Sequence, residues 1–363
     1  MSTEGHSSNP WIRGQKAILD ETTANLRRMA RLPLLWQHAQ RVKKGATPAE
    51  VVYEEDRLKL LHYKSDEPPK FKTPLVFVFA LVNRPYILDL VPQKSVVGQF
   101  LKAGFDVYLI DWGKPTRADR RLTIDSYVNG YLLNCVDFLR RRADAESVNM
   151  LGYCMGGSMS AIFTALRPQR VRNLILMAAG IDFTTRDGLI NLWTGPEHFD
   201  ADGFVDAFGN CPAEFLQGMF LMLKPVDNLI AKPLSLIERV TDEVFVDEYF
   251  TMETWLNDNI AVPGEVFRQF VKDLYQRNLL VKNELRVGRR VVNLKQITCP
   301  VLNLMAQSDD LVPCAQSEPF NDLVGSADRK AMKIPAGHIG LAVGTKAHRE
   351  LWPQACQWLA ERS

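Results

Sequence analysis

No CxxC pair occurs in this chain, no apolar stretch is long enough to cross a bilayer, and no long block of one charge sign runs along it. Each absence argues against a class of protein. The 6 cysteines (Cys135, Cys154, Cys211, Cys299, Cys314, Cys356) are scattered, without histidine at metal-ligand spacing. That argues against a disulfide framework and a zinc site, and most of them are expected to be small buried apolar residues. The longest apolar runs, such as LVFVFALV at Leu75 to Val82, fall far short of the roughly 20 residues of a transmembrane helix. Lys and Arg number 44 against 42 Asp and Glu, a formal net charge of +2, so a nucleic-acid partner is not expected. The opening MSTEGHSSNP lacks the basic-then-apolar layout of a signal peptide, from which a cytoplasmic location is expected. Internal repeats and low-complexity tracts are missing too.

What is present is a 363-residue chain, 46% hydrophobic, able to bury a large core in one elaborated domain or in a domain with an insertion. From about Asp20 to Lys44 the pattern is helical and broken at Pro33; Val51 to Leu61 then suggests a short helix and an entering strand. After a polar connector at Lys64 to Pro74, apolar strands alternate with amphipathic helices: LVFVFALV, SVVGQFLKAG, DVYLIDWG, DSYVNGYLLNCVDFLRRR, VNMLGY, a helix to Leu166, and VRNLILMAAG. Strands apolar throughout and separated by helices imply a mostly parallel sheet covered on both faces, an α/β architecture. Beyond Asp182 the rhythm becomes helical and rich in Phe, Met and Leu, and alternation resumes with CPVLNLMAQSDD and AMKIPAGHIG. The expected parts are an N-terminal helical extension with an entering strand (1–70), a first core part (71–182), a mainly helical cap insertion (183–293) and a second core part (294–363).

Within NMLGYCMGGSMSAIFTAL, Asn149 to Leu166, a strand stops at a turn where Gly152 and Gly156 flank Cys154; Met159, Ile162, Phe163 and Leu166 then follow at helical spacing. This is the layout of an α/β-hydrolase nucleophile elbow, with cysteine where serine is usual. A strand-to-helix elbow forces its central residue into a strained conformation that lifts the side chain above the sheet, and flanking glycines leave room for the turn. The helix beginning there presents its N-terminus to the sulfur, and the backbone N–H of Met155 points where an oxyanion would form. Gly-x-Cys-x-Gly alone also fits a buried structural cysteine in a Gly-rich turn; the strand before and the helix after favour a nucleophile.

Such a nucleophile needs an acid and a base downstream, in the order nucleophile, acid, base. LNLMAQSDD ends a strand with Asp309 and Asp310, which spacing does not separate, and KIPAGHIG places His338 in a Gly-flanked loop after the next strand. The remaining histidines lie in the polar tail, ahead of the core, in the cap or in the final helical region. A second oxyanion donor is expected from the loop after the first core strand, ALVNRPYILDL, at the backbone N–H of Val82 or Asn83.

Taken together, GYCMGG (152–157), ALVNRPYILDL (80–90), DVYLIDWG (106–113), GEVFRQFVKDLYQ (264–276), CPVLNLMAQSDDLVP (299–313) and GHIG (337–340) resemble the short polyhydroxyalkanoate synthases of class III and class IV type, class III favoured. The resemblance runs from roughly Thr47 to the C-terminus. It implies a Cys-His-Asp triad that polymerises (R)-3-hydroxyacyl-CoA, 3-hydroxybutyryl-CoA foremost, into a storage polyester with release of CoA. Carried over, Cys154 is the acylated nucleophile, His338 the base and Asp309 the acid. The family commonly has His after that Asp, and here Asp310 stands there. CoA is then part of the substrate, and no separate cofactor or metal is expected. The expected partners are the growing polyester chain and a second, non-homologous subunit, with a homodimer left open; the expected location is cytoplasmic, at the granule surface. Rival readings are a thioesterase or esterase on the same scaffold, and a non-catalytic granule-associated scaffold, against which the complete set Cys154, Asp309 and His338 argues.

Overall fold

The structure, a computed structural model, describes residues 10–363. Its eight-stranded sheet is built from β1 (Ala49–Glu55), β2 (Leu58–Tyr63), β3 (Leu75–Val78), β4 (Val107–Asp111), β5 (Val148–Tyr153), β6 (Val171–Met177), β7 (Val301–Ala306) and β8 (Arg329–Ile334). Their order across the sheet is β1-β2-β4-β3-β5-β6-β7-β8. β2 runs antiparallel to β1 and β4, and all pairings from β4 to β8 are parallel. Every residue of β3, β5 and β7 is buried, which is why these strands read as unbroken apolar runs.

The first helices, α1 (Pro10–Arg31) and α2 (Leu35–Arg41), are separated by a 3-10 turn at Leu32–Leu34 that contains Pro33. In the sheet region α3 (Val96–Ala103) joins β3 to β4, α4 (Leu133–Ala143) joins β4 to β5, α5 (Met155–Leu166) joins β5 to β6, and α6 (Trp352–Ala360) follows β8. The Ser95 hydroxyl accepts from the Gly98 N–H at 2.7 Å to start α3, and Gly104 at φ 94° stops it. Right-handed crossovers put α3, which steps back across the sheet, on one face, and α4 and α5, which step forward, on the other. α6 packs with α3, where the Phe100 and Trp352 rings meet edge-on at 6.0 Å.

Two features differ from the pattern in the sequence. Val51 to Leu61 forms the β1–β2 hairpin, not a short helix and a strand: Leu58 and Leu60 are buried while Lys59 between them is exposed, and Asp56 turns the chain at φ 51°. The five apolar residues Val51, Val52, Leu58, Leu60 and Leu61 were too few to distinguish the two periods. Between β6 and β7 the chain is mainly helical, with a two-stranded ribbon at Arg286–Val287 and Arg290–Val291.

The chain divides into two compact units: α1, α2 and Lys224–Asn257 in one, and Lys44–Leu223 with Asp258–Ser363, which carries the sheet, in the other. The sequence-based boundaries lie elsewhere, at residues 70, 182 and 293. In the first unit Arg31 donates to Glu243 at 3.0 Å and His38 Nδ1 lies 2.6 Å from Asp247 Oδ1, contacts that span 212 and 209 residues of sequence. Among the described residues no helix is long and apolar enough to cross a membrane.

Trp352 is fully buried between α6 and α3, and its indole N–H donates to the Leu341 carbonyl at 2.8 Å. Trp352→Ala is expected to cost about 3–5 kcal/mol of unfolding free energy, read as a lowered midpoint in urea; a loss below about 1 kcal/mol would mean that α6 does not anchor the sheet.

Candidate active site

β5 delivers Cys154 to the carboxyl edge of the sheet, and α5 starts at the next residue. Cys154 adopts φ 55° and ψ −125°, the strained conformation expected of an elbow. Its N–H donates to the Met177 carbonyl at 2.9 Å, and its own carbonyl accepts from Gly157 at 2.8 Å and Ser158 at 3.2 Å, so the strain is held from both sides. A Cβ on Gly156 would lie 2.1 Å from the Val78 carbonyl oxygen, and one on Gly152 would lie 2.5 Å from the Ser160 hydroxyl. These glycines let α5 approach the end of β3, from which the Leu81–Arg84 loop emerges.

Asp309 and His338 come from the loops that follow β7 and β8. His338 Nδ1 lies 2.8 Å from Asp309 Oδ2. The other carboxylate oxygen accepts from the N–H groups of Leu311 at 2.9 Å and Val312 at 2.8 Å, so the carboxylate has one orientation. An ionised carboxylate only accepts, so Nδ1 carries a proton and Nε2 is the ring nitrogen not engaged by Asp309; the Cys154 sulfur is near enough to the imidazole to raise its pKa. Asp310, which spacing did not separate from Asp309, is exposed. Burial disfavours the His338 cation, but the Asp309 carboxylate, the Cys154 sulfur and their hydrogen bonds outweigh it and push the imidazole up to about 10.

Met155 N–H is a first-turn donor of α5, one of those without an intrahelical acceptor. Val82 is half-buried in the loop after β3. Asn83 beside it turns at φ 64° and is buried, and its Oδ1 has no partner among the described residues. Two tyrosines complete the surroundings. The Tyr153 ring stacks on the imidazole at 5.1 Å, and its hydroxyl donates to the His338 carbonyl at 3.3 Å. Tyr275, on the π-helical turn Phe270–Gln276, lies close enough to Cys154 and Asp309 for their charges, after burial, to hold its hydroxyl protonated. Neither was picked out by spacing: Tyr153 reads as a strand residue, and Tyr275 is distant in sequence, though it lies in the GEVFRQFVKDLYQ motif.

The other cysteines are set apart by solvation. Burial pushes Cys211, Cys299 and Cys356 up to about 12 and raises Cys135 and Cys314 as well, which keeps them as thiols. Among the described residues no group of three or more His, Cys, Asp or Glu could hold a metal ion.

Residues 74–345 match the family described as alpha/beta hydrolase fold, and residues 21–100 match the Poly-beta-hydroxybutyrate polymerase (PhaC) N-terminus. The chain is 48% identical over 322 residues to the Poly(3-hydroxyalkanoate) polymerase subunit PhaC of Haloferax mediterranei, covering 89% of this chain and 65% of that one. It therefore spans just under two thirds of that relative's length. The subunits of the same name from Allochromatium vinosum and Synechocystis are each 42% identical, covering 90% and 88% of this chain and 92% and 86% of theirs. In three dimensions the chain is similar to the enol-lactonase of Burkholderia xenovorans, with TM-score 0.50, 16% identity and coverage of 86% of this chain and 100% of that one. A carboxylesterase structure from Nitrososphaera gargenis has TM-score 0.50 and 14% identity, covering 86% and 98%. At such identities the similarity shows the fold alone.

Asp309→Asn removes the charge that opposes burial, so His338 is expected to titrate well below its present position of about 10 and towards the ordinary 6.5. The imidazole Cε1–H chemical shift followed against pH reads this directly. Asp310→Asn should leave the titration in place, and equal shifts in the two variants would mean that Asp309 does not set it. A limiting amount of iodoacetamide should alkylate Cys154 ahead of the other five cysteines, as mapped by peptide mass; preferential labelling elsewhere would remove Cys154 as the reactive thiol.

Proposed function

The chain belongs to the poly(3-hydroxyalkanoate) polymerase family, and from this we propose that it polymerises (R)-3-hydroxyacyl-CoA, 3-hydroxybutyryl-CoA foremost, into polyester with release of CoA. The observation that carries the proposal is one imidazole held 2.8 Å from Asp309 and within the electrostatic reach of Cys154, with the cysteine at a strained elbow, in a chain of this family.

His338, pushed up to about 10, holds the thiol proton as an imidazolium, with Asp309 orienting the ring and stabilising that cation. The Cys154 sulfur attacks the thioester carbonyl, and the N–H groups of Met155 and Val82 receive the developing oxyanion. The carbon–sulfur bond to CoA breaks, and CoA leaves with the proton from His338. The acyl group is now a thioester on Cys154, as activated as it was on CoA. A 3-hydroxyl then gives its proton to His338 and attacks the carbonyl, forming the ester and freeing the thiol. No cofactor beyond the CoA of the substrate enters these steps.

The relatives are named as subunits, which supports a second, non-homologous subunit as partner. The exposed Leu19, Leu26 and Met29, spaced along α1, offer an apolar contact for it. A polymer product would support a location of the working enzyme in the cytoplasm, at the granule surface.

Purified chain given (R)-3-hydroxybutyryl-CoA, with and without a candidate second subunit, should release CoA matched by insoluble polymer. Cys154→Ala should reduce CoA release at least about 10³-fold, and His338→Gln about 10²–10⁴-fold with the fold retained. Near wild-type rates in either variant would reject the triad, and CoA release matched by soluble hydroxy acid would make the chain a thioesterase.

A further inference from the structure

The segment that leaves β6 runs directly over the elbow. A Cβ on Gly157 of α5 would lie 2.5 Å from the Ala179 Cβ, and the Ser158 hydroxyl donates to the Gly180 carbonyl at 2.6 Å. Phe183, buried, then places its ring 4.5 Å from that of Tyr275, whose hydroxyl is near Cys154 and Asp309. Exposed residues follow at once: Thr184, Arg186 and Asp187 face solvent. Phe183 and Tyr275 are therefore an aromatic pair with one member in the electrostatic neighbourhood of the nucleophile and the other at the start of a solvent-exposed loop.

Asn278 holds this pair together. It is buried, 4% exposed, and lies two residues beyond the π-helical turn that carries Tyr275. Its φ of 51° is one that asparagine tolerates better than most residues. Its Oδ1 accepts from the Phe183 N–H at 3.1 Å, and its Nδ2 donates to Asp182 Oδ1 at 2.8 Å. On the other side the Gln316 carbonyl accepts from the N–H groups of Ile181 at 3.0 Å and Asp182 at 2.9 Å. Gln316 Nε2 donates to Asn191 Oδ1, and Asn191 Nδ2 donates to the Phe183 carbonyl at 3.0 Å. Both peptide groups of Phe183 are thus held by side chains, one from Asn278 far along the sequence and one from Asn191 eight residues on. A loop tied in this way has few positions, whereas an untied one next to exposed residues would fluctuate.

We propose that Asn278 is a positioning residue that latches Phe183 against Tyr275, and that this latch keeps water from the acyl-cysteine so that the acyl group passes to a hydroxyl. The inference rests on the polymerase reading of the same site. Two nucleophiles compete for one carbonyl. Attack by water forms a C–O bond, breaks the C–S bond, returns a proton to the Cys154 sulfur and gives a free hydroxy acid. Attack by the chain hydroxyl exchanges the same bonds and gives an ester. His338 serves both, so the triad does not discriminate between them; access does.

The test is the share of acyl groups recovered as soluble hydroxy acid and as polymer from (R)-3-hydroxybutyryl-CoA. Asn278→Gly keeps the backbone freedom at φ 51° and removes both side-chain bonds. It should raise the ratio of soluble acid to polymer about tenfold, with CoA release per enzyme within about twofold of wild type, as expected when about 1.4 kcal/mol of latch is lost. Asp182→Ala, which removes one acceptor, should shift the ratio in the same direction, and Asp182→Asn, which keeps an acceptor oxygen, should restore it. These variants also decide the matter if Asn278→Gly fails to unfold cooperatively. A ratio unchanged in the folded variants, against a wild type that makes polymer, overturns the latch alone. A wild type that yields only soluble acid overturns the polymerase reading and the latch with it.

Discussion

Cys154 is held at φ 55° and ψ −125°, a conformation that costs an L-residue roughly 1–3 kcal/mol, and much of the neighbouring structure exists to keep it there. The sheet supplies the Met177 carbonyl that accepts its N–H, and the first turn of α5 returns two N–H groups to its carbonyl. Gly156 lets that turn lie against the Val78 carbonyl, where a side chain would have no room. One strained residue thereby fixes three things together: the sulfur stands above the carboxyl edge of the sheet, the Met155 N–H lies at a helix start, and the loop after β3 comes alongside. Relaxing the turn would displace all three, because they share the same backbone.

A second constraint is electrostatic. An imidazole so enclosed would ordinarily lose its charge, yet His338 lies well above its usual range because Asp309 and Cys154 act on it from opposite ends. The arrangement depends on the Asp309 carboxylate being immobile, and the N–H groups of Leu311 and Val312 hold it so. The stacked Tyr153 ring then leaves the imidazole one plane. A base of this kind changes charge without having to reorient solvent.

The alternating core and the elbow were legible in the sequence because both depend on local order. Burial on both faces turns a parallel strand into a continuous apolar run, and a strand, two spaced glycines and a helix can be read within eighteen residues. The acid pair and His338 were read from their order after the later strands, and the resemblance to a known family favoured Asp309 where spacing left Asp310 equally placed. What was not legible is what local order does not encode. The β1–β2 hairpin was obscured because a few apolar residues satisfy either period. The two compact units are divided by contacts such as His38 with Asp247, which no window of the sequence contains. Tyr275, Asn278 and Gln316 act through side-chain contacts between residues far apart in sequence, and as letters in the chain they are ordinary helix and loop residues.

The thiol at the elbow and the aromatic pair beside it answer the same problem. A serine ester would be close in energy to the polyester bond, so transfer from it would have little driving force. A cysteine thioester keeps the acyl group activated, but activated equally towards water, which is far more abundant than any chain hydroxyl. In the proposed mechanism nucleophile chemistry does not resolve that competition, since His338 would deprotonate either attacker from the same position. Discrimination has to come from the space around the carbonyl. The proposed latch assigns that role to Phe183 and Tyr275, whose rings meet at 4.5 Å and whose backbone Asn278 ties through the Phe183 N–H. On the proposed polymerase reading, the α/β-hydrolase fold positions the candidate triad, and a departure from hydrolysis would rest on what surrounds it.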